Sequence, residues 1–241
     1  MIFKSRARRR YEQAARAFEA TPASHKEFSI IANAEAVVAS RRLIDLALNA
    51  AARARDVELR VFSGRPSREP RWFETWPGEH YKLLAGLVAA LGARRVVEIG
   101  THTGMGSLAL LAALPADGAL TTFDIKPWRD IPDTWLRDED FSTGRLTQEI
   151  ADIAAPGVIG RYAALFEAAD FIFIDGPKDG VSEPKFLAAL ETLRLKRDVV
   201  AMFDDVRVLN MVALWRTIAR PKLDVTSFGH WSGSGLVDWN G

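Results

Sequence analysis

The strongest constraint on how this chain can fold lies between residues 95 and 125. A short apolar run, Arg95-Val96-Val97-Glu98-Ile99, enters a turn with glycines at 100, 104 and 106, and an apolar helical stretch follows over 107–114. Residues 119–125 (ALTTFDI) then read as a second strand. Strand, glycine-rich turn, helix and strand make one βαβ unit, the seed of a parallel sheet.

The remainder of the chain repeats the pattern. Residues 78–91 follow the apolar helical period and end at Gly92. Residues 145–150 (RLTQEI) are a candidate third strand, 158–169 a helix, and 170–175 (DFIFID) the clearest buried strand. Helix 182–194, strand 198–203 and helix 209–219 come next. The tail from Leu223 alternates weakly between glycines, which suggests two closing strands in a hairpin. The expected fold class is therefore α/β: a doubly wound, mostly parallel seven-stranded sheet with an antiparallel C-terminal hairpin. Residues 128–143 are polar, acidic and without clean period, as expected of a loop with one helical turn that suits a lid.

Upstream, residues 1–70 read as a helical extension that either covers an acceptor site or forms a dimer contact, and 71–241 as the main domain. Within the extension, 5–20 and 27–53 carry helical patterns, and 57–61 (VELRV) is a short strand or an extended piece. Gly64, Pro66, Ser67 and Pro70 break the chain before the main domain. A homodimer is the base-rate expectation for such a protein.

Composition narrows the function classes. With 48% hydrophobic residues the chain can bury a full core, and a net charge of +1 argues against a broad nucleic-acid footprint. The one basic run, Arg6, Arg8, Arg9 and Arg10, reads as a solvated helix start rather than an RNA or membrane contact. There is no cysteine, so disulfides, thiolate metal sites and a cysteine nucleophile are excluded. The start lacks an apolar signal region and no apolar stretch is long enough to span a membrane, so a cytoplasmic enzyme without a membrane partner is the default expectation.

The turn itself speaks about a ligand. A dinucleotide site carries G-x-G-x-x-G to seat a pyrophosphate, whereas this chain has G-x-x-x-G-x-G preceded by Glu98. A carboxylate in the mouth repels pyrophosphate and suits an ammonium group. Asp124, 26 residues further on at the end of the second strand, can accept hydrogen bonds from ribose hydroxyls. Features for an adenosine and an amino acid, with few for phosphates, point to S-adenosylmethionine. The alternative is that Glu98 is a strand-end surface residue and the glycines only make a turn.

A second constellation lies at the ends of two neighbouring strands: Asp175-Gly176-Pro177-Lys178 and Asp204-Asp205. Carboxylates converging at a sheet's carboxyl edge require a cation or a shared proton. An all-oxygen set without a histidine cluster favours Mg²⁺ over zinc. The competing reading makes these aspartates helix or turn caps. The four histidines are scattered in sequence; His25, His80 and His230 read as ordinary loop or surface residues, the alternative for His80, in the run WPGEHY, being a hydrogen-bond donor near the acceptor entrance, and His102 reads as packing over the ligand. Six of the seven tryptophans fall in loops or at element ends, where they either wall a planar substrate or pack the extension.

The segment VVEIGTHTGMGSLALLAAL with LTTFDI resembles the first motif and the acidic second-strand end of the Rossmann-like S-adenosylmethionine-dependent methyltransferases, over about residues 75–241. The resemblance implies a cofactor site of Glu98, Gly100, Thr101, His102, Gly104, Asp124 and Asp175, with Asp152 near the adenine. FIFIDGPKDG with VVAMFDDV is similar to the cation-dependent O-methyltransferases of the catechol and caffeoyl-CoA type and of the antibiotic-sugar type. That similarity implies Asp175, Asp204 and Asp205 as ligands of Mg²⁺ or another divalent cation, and Lys178 with Asp175 as the catalytic pair, Lys178 being the base. Asp205 stands where the catechol type usually has asparagine, which weakens a catechol as substrate. The expected activity is cation-activated methyl transfer to a hydroxyl of a small molecule. A metal-independent methyltransferase with another O or N acceptor, and a non-catalytic nucleoside-binding module, are the alternatives.

Overall fold

The computed structural model describes residues 38–65, 72–208 and 210–241. The expected helix 5–20, the basic run at Arg6 to Arg10, His25, the start of the second helical pattern and the breaks at Pro66 to Pro70 lie outside the described residues.

Seven strands form one sheet: β1 (Arg95–Ile99), β2 (Ala119–Asp124), β3 (Leu146–Ile150), β4 (Phe171–Ile174), β5 (Val200–Asp204), β6 (Lys222–Asp224) and β7 (Ser234–Asp238). Their order is β3-β2-β1-β4-β5-β7-β6. The pairs from β3 to β5 are all parallel, and β7 runs antiparallel to both β5 and β6. This is the doubly wound sheet with an antiparallel finish that the chain's patterning implies. The last two strands differ from a simple closing hairpin in one respect: β7 inserts between β5 and β6.

Helices cover both faces. On one side lie α1 (Arg41–Asp56), α2 (Tyr81–Leu91) and α3 (Met105–Ala113); α4 (Asp138–Phe141) is a single turn; α5 (Ala163–Glu167), α6 (Ser182–Glu191) and α7 (Met211–Thr217) follow later in the chain. The strands show why two layers are needed. In β4, Phe171 and Phe173 enter the core shared with Leu43, Leu83 and Leu108, while Ile172 and Ile174 enter the core shared with Phe166, Phe186 and Leu214. Successive side chains leave opposite faces, so a strand that is apolar throughout demands cover on both.

Helix α1 belongs to the first of these cores. Ser40 caps it, accepting from the Leu43 N–H at 3.2 Å, and Leu43, Leu46, Ala47, Ala50, Ala51 and Ala54 are buried on one side. It crosses α2 closely at Gly86, where a β-carbon would meet the Ala50 carbonyl oxygen at 2.4 Å. The stretch 57–61 forms no strand; its residues lead through buried Leu59 into a 3-10 turn, Arg60–Phe62. Five residues without a sheet edge to join have nothing to pair with. The acidic loop at 128–143 is tied down rather than free: Trp128, Trp135 and Leu136 are buried, and Arg65 grips both Asp140 oxygens at 2.5 and 2.7 Å. Among the described residues, no helix is long and apolar enough to cross a membrane.

One buried charge fastens α1 to the sheet. Asp238, on β7 and 1% exposed, accepts from Ser40 Oγ at 2.8 Å and from Arg42 Nη1 at 2.6 Å. Arg42 is partly exposed and can rehydrate when its partner is lost. Asp238→Ala should therefore cost about 1–3 kcal/mol, read as a lower midpoint in urea unfolding; an unchanged midpoint would show that the contact does not hold α1 in place.

Candidate active site

The glycine-rich turn is shaped by two close approaches. Gly100 has φ +107°, and a β-carbon there would lie 2.0 Å from the Asp175 carbonyl oxygen. Only glycine lets the end of β1 lie so near the chain leaving β4. Gly106, in the first turn of α3, leaves room for Glu98: a β-carbon would stand 2.3 Å from Glu98 Oε1. Glu98 is 1% exposed, and Ser107 Oγ donates to it.

The sequence places Glu98 in the mouth of the site; the structure places it beneath α3. Strand alternation is the reason, since Ile99 reaches the ligand side and Glu98 points the other way. With hydroxyls for partners, burial pushes its carboxyl up to about 8. Thr101, also buried, shares a hydrogen bond with Thr122 Oγ1 at 2.8 Å and accepts from Gln148 Nε2 at 3.1 Å. Gly104 sits at the N-cap of α3. These three residues support the turn from behind.

A cavity of about 570 Å³ opens over the carboxyl ends of β1, β2, β3 and β4. Gly100, His102, Asp124, Asp152, Asp175 and Lys178 line it, with Ile125, Ile153 and Phe186 as apolar walls. Ligands of open α/β sheets bind at this edge. Asp124 accepts from the His102 N–H at 2.9 Å and the Lys126 N–H at 3.1 Å, which fixes its carboxylate at the rim. Asp152 accepts from the Ala154 N–H at 2.9 Å.

At the inner end of the cavity lies a dense charge cluster. Lys178 Nζ is bonded to Asp175 and lies 3.1 Å from Asp205 Oδ2 and 3.7 Å from Asp204 Oδ2. Asp204 itself is 2% exposed. Both Lys178 (φ 57°) and Asp205 (φ 58°) have left-handed backbones, a conformation that costs energy for residues with side chains. Buried Glu183 accepts from the Lys178 N–H and helps hold that loop. Burial alone would depress the Lys178 ammonium, but the three carboxylates outweigh it and hold the pKa above the ordinary value. Lys178 is thus held as a cation.

The histidines overturn an expectation. His80 and His230 stand in this cluster, not at an ordinary surface. His230 Nδ1 lies 3.3 Å from Asp204 Oδ1 and its Nε2 lies 3.0 Å from Glu79 Oε2, while His80 Nδ1 lies 3.3 Å from the same Asp204 oxygen. Burial works against charge on His230, yet its hydrogen bonds to Asp204, Asp205 and Glu79 push it up to about 11. Asp204 is held well below the usual carboxylate range: its burial acts upward, and His80, His230 and Lys178 outweigh it. Ser232 donates to Asp205 and lies 2.8 Å from His230 Nδ1. The all-oxygen cation set expected from the sequence is therefore flanked by imidazoles. Glu79, His80, His230 and Ser232 carry no local signal: the sequence separates His80 from His230 by 150 positions, and only the sheet brings them together. Of the tryptophans, Trp128, Trp135 and Trp239 are buried packing residues, whereas Trp231 is 73% exposed beside His230.

Comparison with known proteins agrees with this geometry. Residues 97–206 match the profile of a methyltransferase domain. A protein of Mycobacterium sp. (strain KMS) that carries an O-methyltransferase name is 33% identical over 167 residues, covering 68% of this chain and 67% of that protein. A similarly named protein of Mycolicibacterium smegmatis is 37% identical over 116 residues; there the match spans about half of each, 48% of this chain and 51% of the relative. A solved structure from Staphylococcus aureus bearing a caffeoyl-CoA O-methyltransferase name shares the fold at TM-score 0.51 and 15% identity, over 81% of this chain and 96% of that one. The sheet order, the glycine turn and these matches define a class I methyltransferase. The chain belongs to the S-adenosylmethionine-dependent methyltransferase family, alongside relatives with O-methyltransferase names.

The raised Glu98 carboxyl has a measurable consequence. Its folded form keeps a proton between the ordinary value near 4.5 and about 8, where the unfolded chain has lost it. Stability should fall across that window as pH rises. Glu98→Gln removes this titration, so its stability relative to the native chain should improve by roughly 1–4 kcal/mol from pH 5 to pH 8, read from urea midpoints at both pH values. A constant difference would show that Glu98 is ionised throughout.

Proposed function

We propose that the protein transfers a methyl group from S-adenosylmethionine to a hydroxyl of a small molecule, with the acceptor activated by a divalent cation. One observation carries the reading: Asp175 and Lys178 belong both to the cavity lining and to the charge cluster. A nucleoside in the cavity thus has its reactive end beside groups that can hold an acceptor oxygen. The apolar walls at Ile125, Ile153 and Phe186 suit a planar base, and Asp124 keeps acceptor capacity for ribose hydroxyls beyond its two backbone donors.

When bound, the methyl donor supplies an electrophilic carbon and the cation lowers the pKa of the acceptor hydroxyl. The chain's own groups orient and balance charge. Lys178, expected as the base, is held protonated, so in this arrangement it donates to the acceptor oxygen and offsets negative charge developing there. Asp204 fixes both the ammonium and the two imidazoles. Holding donor and acceptor in line supplies much of the expected rate.

The donor set around Asp204 fits a divalent cation. Asp175, Asp204 and Asp205 offer carboxylate oxygens, and buried His80 adds imidazole nitrogens, with Nδ1 3.3 Å from Asp204 Oδ1 and Nε2 without a hydrogen-bond partner. A second reading, metal-independent transfer, is favoured by the position of Lys178, whose ammonium already serves all three aspartates.

Two measurements decide. Calorimetric titration with S-adenosylhomocysteine should show binding that Asp124→Ala weakens by about tenfold or more without unfolding the chain. Methyl transfer to a panel of catechols, phenols and sugars should then fall on chelation and return with added divalent cation. Failure of the folded protein to bind S-adenosylhomocysteine would end the methyltransferase reading. Transfer that is indifferent to chelator would leave the metal-independent reaction.

A further inference from the structure

Asp204 divides the charge cluster into two unlike halves. Its Oδ2 faces Lys178 at 3.7 Å, on the side where the ammonium also meets Asp175 and Asp205. Its Oδ1 faces His80 and His230, each at 3.3 Å. The first half carries its own fixed cation. In the second, no lysine or arginine among the described residues pairs with Glu79, His80 or His230, and Glu79 adds another carboxylate there, with Oε2 3.0 Å from His230 Nε2.

Three pieces of chain make this second half. Glu79 and His80 precede α2, Asp204 ends β5, and His230 lies in the loop before β7, where it meets Gly78 in an isolated bridge. One ligand atom from each of Glu79, His80 and His230 lies within 4.8 Å of the others, the spacing that a single ion can span. His80 is 3% exposed. Buried polar groups are ordinarily satisfied, so an imidazole whose Nδ1 has only the 3.3 Å contact with Asp204, whose Nε2 has no partner, and which stands edge-on to a second imidazole 4.9 Å away marks a missing electron-pair acceptor.

We propose that Glu79, His80 and His230, with Asp204 beside them, form a mixed imidazole–carboxylate site for a first-row transition-metal dication such as Co²⁺ or Zn²⁺, in preference to Mg²⁺. Two nitrogen donors decide the class: imidazole suits these ions, whereas Mg²⁺ and Mn²⁺ prefer oxygen ligands and Mg²⁺ keeps water. Binding takes the place of a ring proton on His230, which is released to solvent. Asp204 links this site to the ammonium half, so a metal here stands next to the acceptor end of the cavity without displacing Lys178. The inference deepens the cation-activated reading and rests on it only for its role in methyl transfer.

The test uses the whole chain, freed of metal by chelation and dialysis. Mn²⁺, Co²⁺, Zn²⁺ and Mg²⁺ are titrated by calorimetry, and the Co²⁺ form is followed by its visible absorption. The expected result is one saturable site that binds Co²⁺ or Zn²⁺ at least about tenfold more tightly than Mg²⁺. Glu79→Gln and His230→Gln should each weaken it by about 10–100-fold and alter the Co²⁺ spectrum. Asp205→Asn, whose carboxylate lies 3.4 Å from His230 Nδ1 without belonging to the proposed ligand set, should weaken binding less than either, and circular dichroism and thermal midpoints confirm that each variant is folded. Should buried His80 not tolerate substitution, the Glu79 and His230 variants decide alone. Mg²⁺ binding as tight as Co²⁺ or Zn²⁺ and lost only in Asp205→Asn would overturn the inference and keep a carboxylate cation centre. Saturable binding of none of the four ions would overturn both, while S-adenosylhomocysteine binding would still stand by itself.

Discussion

The end of β1 is held between two neighbours at once, and both halves of the site depend on that contact. The Gly100 N–H donates to the Phe123 carbonyl at 2.8 Å on the β2 side, and the Asp175 N–H donates to the Ile99 carbonyl at 2.8 Å on the β4 side. With no β-carbon at position 100, the chain after β4 closes onto the turn after β1. The cavity therefore has a floor made of two strand ends, and Asp175 is delivered to its inner edge. Any side chain at 100 would separate cavity from charge cluster, and with them the donor end from the acceptor end.

The same contact explains which parts of the architecture could be read from the sequence. The βαβ unit, the apolar strand at 170–175 and the two aspartate sites are local features, and each lies where its pattern implies. The parallel direction of β1 to β5 follows from the helical crossovers between them, but their order does not, since β4 pairs with β1 and not with the preceding β3. Insertion of β7 between β5 and β6 was not legible, because a weak alternation fixes the existence of a strand but not its neighbour. The direction of Glu98 was open for a related reason. Its residue type suits a ligand contact, yet only its parity with Ile99 and the presence of Ser107 on α3 decide which face it takes.

The histidines show a harder limit. His80 follows a turn before α2, and His230 sits among glycines and serines near the end of the chain; neither setting differs from that of an ordinary loop histidine. Their meeting at one oxygen of Asp204 requires the N-terminal end of α2, the end of β5 and the β6–β7 connection to share one corner of the sheet. That is a property of topology. The tryptophans behave likewise: position in a loop did not distinguish the buried Trp135 from the exposed Trp231.

Two buried carboxylates, on β1 and β5 with β4 between them, end with opposite protonation, and the difference lies in their partners rather than their burial. Glu98 and Asp204 are each at most 2% exposed. Glu98 has hydroxyl donors, which relieve the cost of charge only in part, and burial pushes it up to about 8. Asp204 has two imidazoles and an ammonium, which more than repay the lost hydration, and it stays ionised. A neutral carboxyl behind the turn can pack against α3 without disturbing charge at the mouth. An ionised one at the end of β5 organises every cation around it. Environments that drive paired acids apart in this way separate a structural role from a chemical one, and here the chemical one falls to the carboxylate at the carboxyl edge of the sheet.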